Sequence, residues 1–327
     1  MRKIICLFLL LILFPAICSA ELQAHFLDVG SADCCIIICD DEAMIIDGGN
    51  ANDSSLVYSY LKSTLKIDRI KCVIATHPHE DHIGGLSGAL IACKVDNVFS
   101  SHSNYKSDEF ENLKKYTENQ RKTIRKPYSG YSLILGDASV KIISPKYTYK
   151  NINDMSLIVH VKYGDTSFLF MGDAEKEAEN DFINSFDLKA DLIKIGHHGK
   201  DTSTSEELLK KIEPEIAIIS CGSKETEQPS KNVISRLEKF GCEIHLTAGN
   251  GHIIAVSDGK TITVSSDGLK ADKKNGETYV LNTNTKKYHY PSCNSAKTIK
   301  DKNKKVLTST TAQLKSQGYM PCGICKP

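Results

Sequence analysis

The sequence predicts a layered domain of strands and helices, in an α/β or α+β arrangement, followed by a small C-terminal module. Short apolar segments recur over the first 267 residues and are separated by glycine-containing turns, which is typical of strands in a buried sheet. Helical segments lie between several of these strands, and this order favours layers of helices packed on sheets. Residues able to bind metals follow several of the predicted strands. A chain of 327 residues is long enough for a large core and more than one domain.

The predicted strands and helices alternate along the body of the chain. Strands are predicted at 24–30, 34–39, 43–49, 72–75, 95–99, 140–144, 157–161, 168–171, 192–195, 216–220, 243–246, 253–256 and 261–264. Helices are predicted at 56–65, 83–93, 175–186 and 231–240. Gly164-Asp165 and Asp258-Gly259 are turn sequences, so each predicts a hairpin between the strands on either side.

A cluster of metal-ligand residue types follows the predicted strand 72–75. It consists of His77, His79, Glu80, Asp81 and His82, and a glycine pair that allows a tight turn comes next. Histidine supplies neutral nitrogen ligands, and aspartate supplies an oxygen that binds a metal or fixes a water molecule. The spacing H-x-H-x-D-H therefore predicts a metal site. A chance group of surface histidines is the alternative interpretation.

Other residues with this chemistry also stand at strand ends. Asp47 ends the strand 43–49, Asp173 follows the strand 168–171, and His197 and His198 follow the strand 192–195. Taken alone, Asp47 has the alternative role of a turn residue and Asp173 that of a helix N-cap. Four strands that end in this way favour a single shared metal site at one edge of a sheet sandwich.

The two ends of the chain differ from its body. Residues 1–20 have a basic start, a short apolar core and small residues at their end, which predicts a secretory signal peptide and a secreted or cell-surface protein without a stable membrane span after cleavage. An uncleaved anchor is the alternative interpretation. Residues 269–327 hold twelve Lys and three acids, a net charge of +9, so residues 1–268 carry −8 of the overall +1.

From about residue 24 to residue 267, the chain resembles the metallo-β-lactamase superfamily. The closer resemblance is to the soluble hydrolase domain of competence proteins of the ComEC/Rec2 type. It rests on the H-x-H-x-D-H cluster and on the segments 26–30, 46–49, 153–157, 168–174 and 194–199. The resemblance implies an αββα sandwich for residues 21–267 and two divalent metals, Zn or Mn, in the hydrolase site.

The resemblance implies a role for each residue that matches its motif. His77 and His79 would hold one metal. Asp81, His82 and His198 would hold the other, and Asp173 would bridge the two. His198 is preferred to His197 as the ligand.

The resemblance also implies roles beyond the ligands. His197 would contact a substrate oxygen, and Asp81 would also act in catalysis. The histidine that the family usually has in its third motif has no clear counterpart in this sequence. Asn153 and Ser156 occupy its place, and His102 is a possible substitute. Asp47 is expected to support the site.

The tail is predicted to contain a linker at 268–278 and a small zinc-binding module at 279–327. Its ligands would be His289, Cys293, Cys322 and Cys325, because one nitrogen and three sulfurs suit a closed tetrahedral zinc site. A disulfide among these cysteines is the alternative. The module resembles the zinc-binding domain of Ada-type DNA repair proteins. Because His289 replaces the cysteine that accepts a methyl group there, a structural or DNA-docking role is favoured over methyl transfer.

Together these features predict an exported metal-dependent hydrolase. The preferred activity is a phosphodiesterase or nuclease that cleaves DNA with a hydroxide held by two metals, and the lysine-rich tail supports contact with a polyanion. One alternative keeps the fold but acts on a small phosphodiester or lactone, as a phosphorylcholine esterase or a lactonase. Another is a non-catalytic protein that binds DNA or the cell wall.

Overall fold

The computed structural model describes residues 21–186, 189–222, 228–266, 277–291, 293–309, 314 and 318–325. In this part of the chain, two sheets pack face to face and helices cover both outer faces, so the predicted αββα sandwich is confirmed. The predicted signal peptide and residues 268–276 of the predicted linker lie outside the described residues. Among the described helices, none is both long enough and apolar enough to cross a bilayer.

The first sheet contains eight strands in the order β15-β14-β1-β2-β3-β4-β5-β6. Their bounds are β1 Leu22–Phe26, β2 Cys35–Cys39, β3 Glu42–Ile46, β4 Arg69–Ala75, β5 Lys94–Ser100, β6 Ile124–Arg125, β14 Ile253–Ser257 and β15 Ile262–Ser266. The strands β3 to β6 are parallel, and β1 lies antiparallel to β14.

The second sheet contains seven strands in the order β13-β12-β11-β10-β9-β8-β7. Their bounds are β7 Tyr131–Leu135, β8 Ala138–Ile143, β9 Ile158–Tyr163, β10 Thr166–Phe170, β11 Leu192–Lys194, β12 Ile216–Ile219 and β13 Glu243–Leu246. The strands β10 to β13 are parallel, and the predicted hairpin between β9 and β10 is present.

The helices of the body lie on the outer faces of the sheets. They are α1 Ser54–Ser59, α2 Glu80–Ile83, α3 Leu86–Ala92, α4 Asp108–Asn119, α5 Lys176–Ser185, α6 Glu206–Ile212, α7 Lys231–Lys239 and α8 Thr247–Asn250. A π-helical turn at Tyr60–Thr64 extends α1, so together they cover the predicted helix 56–65.

Successive residues of a strand point alternately to the core between the two sheets and to the cores beneath the outer helices. In β1, Ala24 and Phe26 face the core between the sheets, whereas the next residue, Leu27, packs under the helices on the outside. Ile193 of β11, in the second sheet, packs under the helices that cover the outer face of that sheet. This period of two is expected for strands whose two faces are both buried.

The parallel strands carry their C-terminal ends to one edge of the sandwich. β3 is followed there by Asp47, β4 by Thr76, β10 by Met171 and β11 by Ile195. Because the two sheets pack with these ends side by side, residues from distant parts of the chain meet at that edge. The backbone N–H of Leu157 donates to the carbonyl of Thr76 across the gap, at 2.9 Å.

The C-terminal module has its own four-stranded sheet, in the order β18-β16-β17-β19. The elements are β16 Glu277–Asn282, β17 Lys287–His289, α9 Asn294–Lys297, β18 Lys304–Ser309 and β19 Met320–Pro321. β16 begins at Glu277, so the last two residues of the predicted linker belong to this sheet.

The module contacts the helices that cover the first sheet. The hydroxyls of Ser59 in α1 and Thr278 in β16 form a hydrogen bond. The Lys297 ammonium lies 4.1 Å from the centre of the Tyr116 ring in α4. Both contacts are made with the outer helical layer and not with the edge at which the predicted metal ligands meet.

Candidate metal centre and its surroundings

Glycines allow the H-x-H-x-D-H segment to fold back against the turn after β3. A Cβ on Gly48 would lie 2.5 Å from the backbone nitrogen of Leu86, and one on Gly85 would lie 1.9 Å from the carbonyl oxygen of Gly48. Only glycine fits such approaches. The Gly48 N–H donates to the carbonyl of His82 at 2.7 Å, which fixes the two turns together.

One half of the centre is formed by Asp81, His82, Asp173 and His198. Their ligand atoms all lie within 4.8 Å of one another. His82 Nε2 is 3.2 Å from Asp173 Oδ1, and His198 Nε2 is 3.3 Å from Asp81 Oδ2. Three of the four residues are buried, and the Asp81 side chain is 34% exposed, so it lies at the mouth of the site.

His77 and His79 form the other half. His77 Nε2 lies 3.0 Å from His79 Nδ1 and 3.9 Å from Asp173 Oδ2. Two ligands of a tetrahedral Zn²⁺, each at about 2.0–2.1 Å, are separated by about 3.3 Å, so these nitrogens are close to the spacing of a chelating pair. The two oxygens of Asp173 therefore face different halves, as a bridging carboxylate requires.

Buried polar atoms at the centre fit a cation. His82 Nε2, Asp173 Oδ1 and both ring nitrogens of His198 are buried without a hydrogen-bond partner among the described residues. An unsatisfied buried polar group costs about 1–3 kcal/mol, and four of them in one place would be expensive without a ligand. Imidazole nitrogens and carboxylate oxygens together suit Zn²⁺ and Mn²⁺.

Asp47 orients His82 from behind. Its carboxylate accepts from the Thr76 N–H at 2.8 Å and from the Thr76 hydroxyl at 2.7 Å, and Oδ2 lies 2.8 Å from His82 Nδ1. A carboxylate on the far nitrogen fixes the ring and leaves Nε2 for a metal. Asp47 thus makes the contacts that its expected support role requires, and it has a left-handed φ of 56° in the turn after β3.

Asp33 and Lys194 form a buried ion pair behind His198, and the sequence analysis gave neither a role. Lys194 Nζ lies 2.8 Å from Asp33 Oδ2 and 2.9 Å from the carbonyl of Ile195. Asp33 Oδ1 is 3.4 Å from His198 Nδ1. Lys194 interrupts the apolar strand 192–195. A charged residue in a predicted buried strand needs a partner, and this is the signal in the sequence from which the ion pair could have been predicted.

His197 is held apart from the cluster of four. Its Nδ1 lies 2.8 Å from Glu175 Oε1, and its Nε2 lies 3.7 Å from Asp173 Oδ2. Both His197 and His198 have left-handed backbones, with φ of 47° and 52°. This conformation is strained for residues with a Cβ, and two in succession turn the rings in different directions.

Burial and neighbouring charges oppose each other in the centre. Burial favours neutral Asp173, but the rings of His82 and His198 outweigh it and hold the pKa of Asp173 well below its usual value. Burial likewise disfavours charged His82, but the carboxylates of Asp173 and Asp47 raise its pKa well above normal. Burial, followed by the nearby His82, lowers the pKa of His77 well below normal.

The residues expected near the third motif divide into two groups. Ser156 Oγ accepts from the Asp173 N–H at 3.0 Å and lies 3.4 Å from His77 Nδ1, while Asn153 Nδ2 lies 3.5 Å from His197 Nε2. His102 does not join the cluster: its Nδ1 lies 3.0 Å from the Ser101 hydroxyl, and its ring contacts Tyr105. The chain turns away after β5, so His102 does not replace the missing histidine.

The four residues predicted to bind zinc in the tail also come together. The ligand atoms of His289, Cys293, Cys322 and Cys325 lie within 4.8 Å of one another. The ten described cysteines are all free thiols, so the disulfide alternative is absent from the described part of the chain. Burial opposes ionisation of Cys322, but N–H groups of Cys325 and Ile324 outweigh it and lower the pKa of this thiol. Thiolate is the form that binds zinc.

Known proteins are similar to the body of the chain in sequence and in fold. A family model described as the metallo-beta-lactamase superfamily matches residues 27–223. The metallo-beta-lactamase fold protein YhfI from Bacillus subtilis superposes with a TM-score of 0.50 at 12% identity, covering 72% of this chain and 100% of that chain. At this identity the superposition supports the fold alone.

Two curated relatives match about three quarters of the chain. ComE operon protein 3 of Bacillus subtilis is 26% identical over 264 residues, which are 75% of this chain and 34% of the relative. Recombination protein 2 of Haemophilus influenzae is 28% identical over 259 residues, which are 76% of this chain and 31% of the relative. The chain thus spans about a third of the length of the relatives it matches.

Proposed function

The chain belongs to the metallo-β-lactamase superfamily, and from this premise we propose that it is a metal-dependent phosphodiesterase that cleaves DNA. The observation that carries the proposal is the pair of ligand sets on the two oxygens of Asp173. Such an arrangement suits two divalent metals. In two-metal enzymes that catalyse in-line displacement at phosphorus, the metals lie about 3.5–4 Å apart.

In the proposed enzyme, His77 and His79 would hold one metal, Asp81, His82 and His198 would hold the other, and Asp173 would be a ligand shared by both. Bound there, two divalent cations supply Lewis-acid charge for phosphoryl oxygens and lower the pKa of water towards about 7. Asp47 and Asp33 keep the rings of His82 and His198 in place for this purpose.

The remaining work falls to side chains at the mouth of the centre. Asp81 is partly exposed, so its carboxylate can orient the attacking water by accepting a hydrogen bond. His197 is fixed by Glu175 through Nδ1, and its Nε2, 3.7 Å from Asp173 Oδ2, lies where it can contact a substrate oxygen. A proton on Nε2 would stabilise charge on that oxygen or pass to the leaving group. Asn153 supports the same ring.

DNA is proposed as the substrate because the chain resembles competence proteins and one relative is named recombination protein 2, and both competence and recombination involve DNA. The charge of the tail supports this choice. The described part of the module contains seven exposed lysines and two acidic residues. Lysines that replace counterions along a phosphate backbone give sequence-independent affinity.

For the tail, we propose one structural Zn²⁺ bound by His289, Cys293, Cys322 and Cys325. His289 Nδ1 is buried without a hydrogen-bond partner in the described residues, and the Cys322 sulfur accepts from the Ile324 N–H at 3.4 Å. A small module with few apolar residues gains most of its folding free energy from such an ion.

Hydrolysis assays with defined substrates test the proposed activity. The chain from Glu21 onward is incubated with linear DNA, bis-p-nitrophenyl phosphate, a phosphorylcholine ester and a lactone, each with Mn²⁺ or Zn²⁺. Cleavage of DNA that is lost in Asp81→Ala supports the proposal. Turnover only of the phosphorylcholine ester or the lactone would assign the other substrate class, and inactivity on all four with either metal would rule out hydrolysis of these classes.

Export remains a prediction from residues 1–20. The proposal assumes that they direct the protein out of the cell and are then removed. N-terminal sequencing of the protein recovered from the culture medium or the cell surface checks this directly, and retention of Met1 on the recovered chain would contradict cleavage.

A further inference from the structure

Two segments rich in basic and aromatic residues meet at the edge that carries the metal centre. We call Arg125, Lys126, Tyr128, Lys146 and Tyr147 the basic–aromatic patch. The segments are held together by side chains, because the Ser144 hydroxyl donates to the carbonyl of Pro127 at 2.6 Å and the Ser129 hydroxyl donates to the carbonyl of Ser144 at 3.0 Å.

The patch carries two exposed aromatic rings on firm supports. Tyr128 is 71% exposed and Tyr147 is 54% exposed, and they are the two aromatic residues among the large exposed hydrophobic side chains of the described chain. The Tyr128 ring packs edge-on against Tyr131 at 5.4 Å, and the Tyr147 ring packs edge-on against the buried Tyr149 at 6.5 Å. Each ring therefore has a supported side and an open face.

The charge around these rings is positive although the body is acidic. Residues 120–150 contain seven Lys or Arg and a single acid, Asp137. Asp137 lies in the turn between β7 and β8, at the end of these strands away from the metal centre. Lys126 and Lys146 are exposed, and the Lys146 ammonium lies 5.2 Å from the centre of the Tyr147 ring.

Strand pairing fixes the distance from the patch to the metal centre. Arg125 pairs with Phe99, and Ser100 pairs with Ala75, two residues before His77. With about 4.8 Å between neighbouring strands, Lys126 lies about 10 Å to the side of the segment that carries His77. In the other sheet, the end of β8 at Ile143 pairs with Ile158, two residues after Ser156.

A cavity of about 180 Å³ lies beside the patch, between α5 and the ends of β8 and β9. Lys146 of the patch lines it, and so does Ser156, whose hydroxyl contacts the Asp173 N–H. Its wall is largely apolar and also includes the carboxylates of Asp154 and Asp181. Lys146 and a residue in contact with the centre thus line one cavity.

We infer that the basic–aromatic patch binds single-stranded nucleic acid and leads it into the metal centre. Exposed rings beside lysines are the combination that holds single strands, because bases stack on the rings and cations contact the phosphates. Duplex bases are already stacked and cannot use the two tyrosines. The choice of ligand rests on the proposed function, but binding to the patch requires no turnover and can fail or succeed on its own.

Fluorescence anisotropy with Asp81→Ala tests the inference without cleavage and without a chelator that would remove the metal proposed for the tail. The chain from Glu21 with this substitution serves as the unmodified chain for the comparisons below, and it is titrated into a labelled 20-nucleotide DNA strand, the matching RNA strand and the DNA duplex. Single strands should bind more tightly than the duplex, and comparing DNA with RNA identifies the source of the strand. Tyr128→Ala with Tyr147→Ala should weaken single-strand binding by about tenfold or more, since each stacked base contributes that order of affinity.

Matched variants separate stacking from charge and from fold. Tyr128→Phe with Tyr147→Phe should bind as the unmodified chain does, because the rings remain. Lys126→Ser with Lys146→Ser should lower the slope of log affinity against log salt by about 0.7 per lysine, and Lys210→Ser with Lys239→Ser, on the outer helices, should not. Equal single-strand affinity in the alanine pair and the unmodified chain, or preference for the duplex, would overturn the inference whether or not DNA is cleaved.

Discussion

The two clusters of metal-binding residues differ in how the chain around them is built. The centre at the sandwich edge draws its residues from the ends of β4, β10 and β11, each anchored in a sheet with cores on both faces. The tail cluster draws its residues from β17 and from loops of a small sheet whose apolar clusters contain only a few buried side chains. The first is supported by a large fold, whereas the second rests on a small sheet with a small apolar core.

This difference teaches how each site would use a metal. The sandwich centre contains carboxylates, has a partly exposed Asp81 at its mouth, and is backed by the carboxylates of Asp47 and Asp33, as open catalytic sites are. The tail cluster offers one imidazole and three thiols with no further ligand type, as closed structural sites do. Removing a ligand should therefore impair chemistry in one region and folding in the other.

The largest expected effect is the loss of the tail fold in Cys325→Ser. Zinc contributes roughly 10 kcal/mol or more to the folding of small zinc modules, so the variant should lose one metal and the protection of its tail amides. Metal analysis and hydrogen exchange over residues 277–309 measure both. Cys242→Ser, which changes a buried thiol in the sandwich, is the matched control. Protected tail amides in Cys325→Ser despite the loss of one metal would show that the tail folds without the ion, and full metal content would exclude Cys325 as a required ligand.

Next in size is the buried ion pair, which can be broken by Lys194→Met. The variant leaves the Asp33 carboxylate buried without its cation, and this should cost about 3–5 kcal/mol in the free energy of unfolding. Urea denaturation measures the cost. Lys189→Met removes an exposed lysine whose pair with Glu213 should contribute at most about 1 kcal/mol. Similar losses in both variants would show that the pair has no special role behind His198.

Asp173→Asn should abolish most activity with little loss of fold. Removing an outer partner of a metal ligand typically costs 10–100-fold, so loss of a bridging ligand should lower kcat/KM by more than about a hundredfold. The variant should also lose metal from the sandwich while retaining that of the tail. Steady-state kinetics and metal content provide the measurements, with the exposed Asp137→Asn as the control. Two metals retained in the sandwich would exclude the bridging role.

The smallest effect should come from the contact that joins the two regions. The interaction between the Lys297 ammonium and the Tyr116 ring should contribute about 0.5–1 kcal/mol to docking of the tail on α4. A double-mutant cycle with Lys297→Met and Tyr116→Leu, followed by thermal unfolding, measures it. A coupling energy of zero would mean that docking rests on other contacts, such as the hydrogen bond from the Lys115 ammonium to Asn294 Oδ1 and that between Ser59 and Thr278.

The sequence predicts which candidate ligands lie close together because their positions depend on local order. Each follows a recognisable strand, and parallel strands deliver their ends to one edge. It missed Asp33 and Lys194 because the pairing of residues 161 positions apart depends on how the two sheets face each other. It also missed β7, because Leu133, Ile134 and Leu135 are consecutive apolar residues and do not show the alternation that the burial along this strand has.

The expectation for His102 failed for a related reason. Its place in the sequence, directly after β5, matches a strand end of the kind that carries the other ligands. However, β5 lies one strand beyond β4 and the chain turns outward after Ser101, so the ring meets Tyr105 instead of Asp173. Strand order decides which ends reach the centre, and the order follows from the whole sheet.

The pairing of β1 with β14 determines when the first sheet can be completed during synthesis. Leu22 pairs with Ser257 and Phe26 with Ile253, so an interior strand at the start of the body waits for a neighbour made more than 200 residues later. Contacts this distant in sequence form slowly and leave strand edges open until they do. The emerging polypeptide cannot close its first sheet before residue 257 leaves the ribosome. The first sheet would thus remain incomplete through most of translation, with an edge of β1 open for pairing.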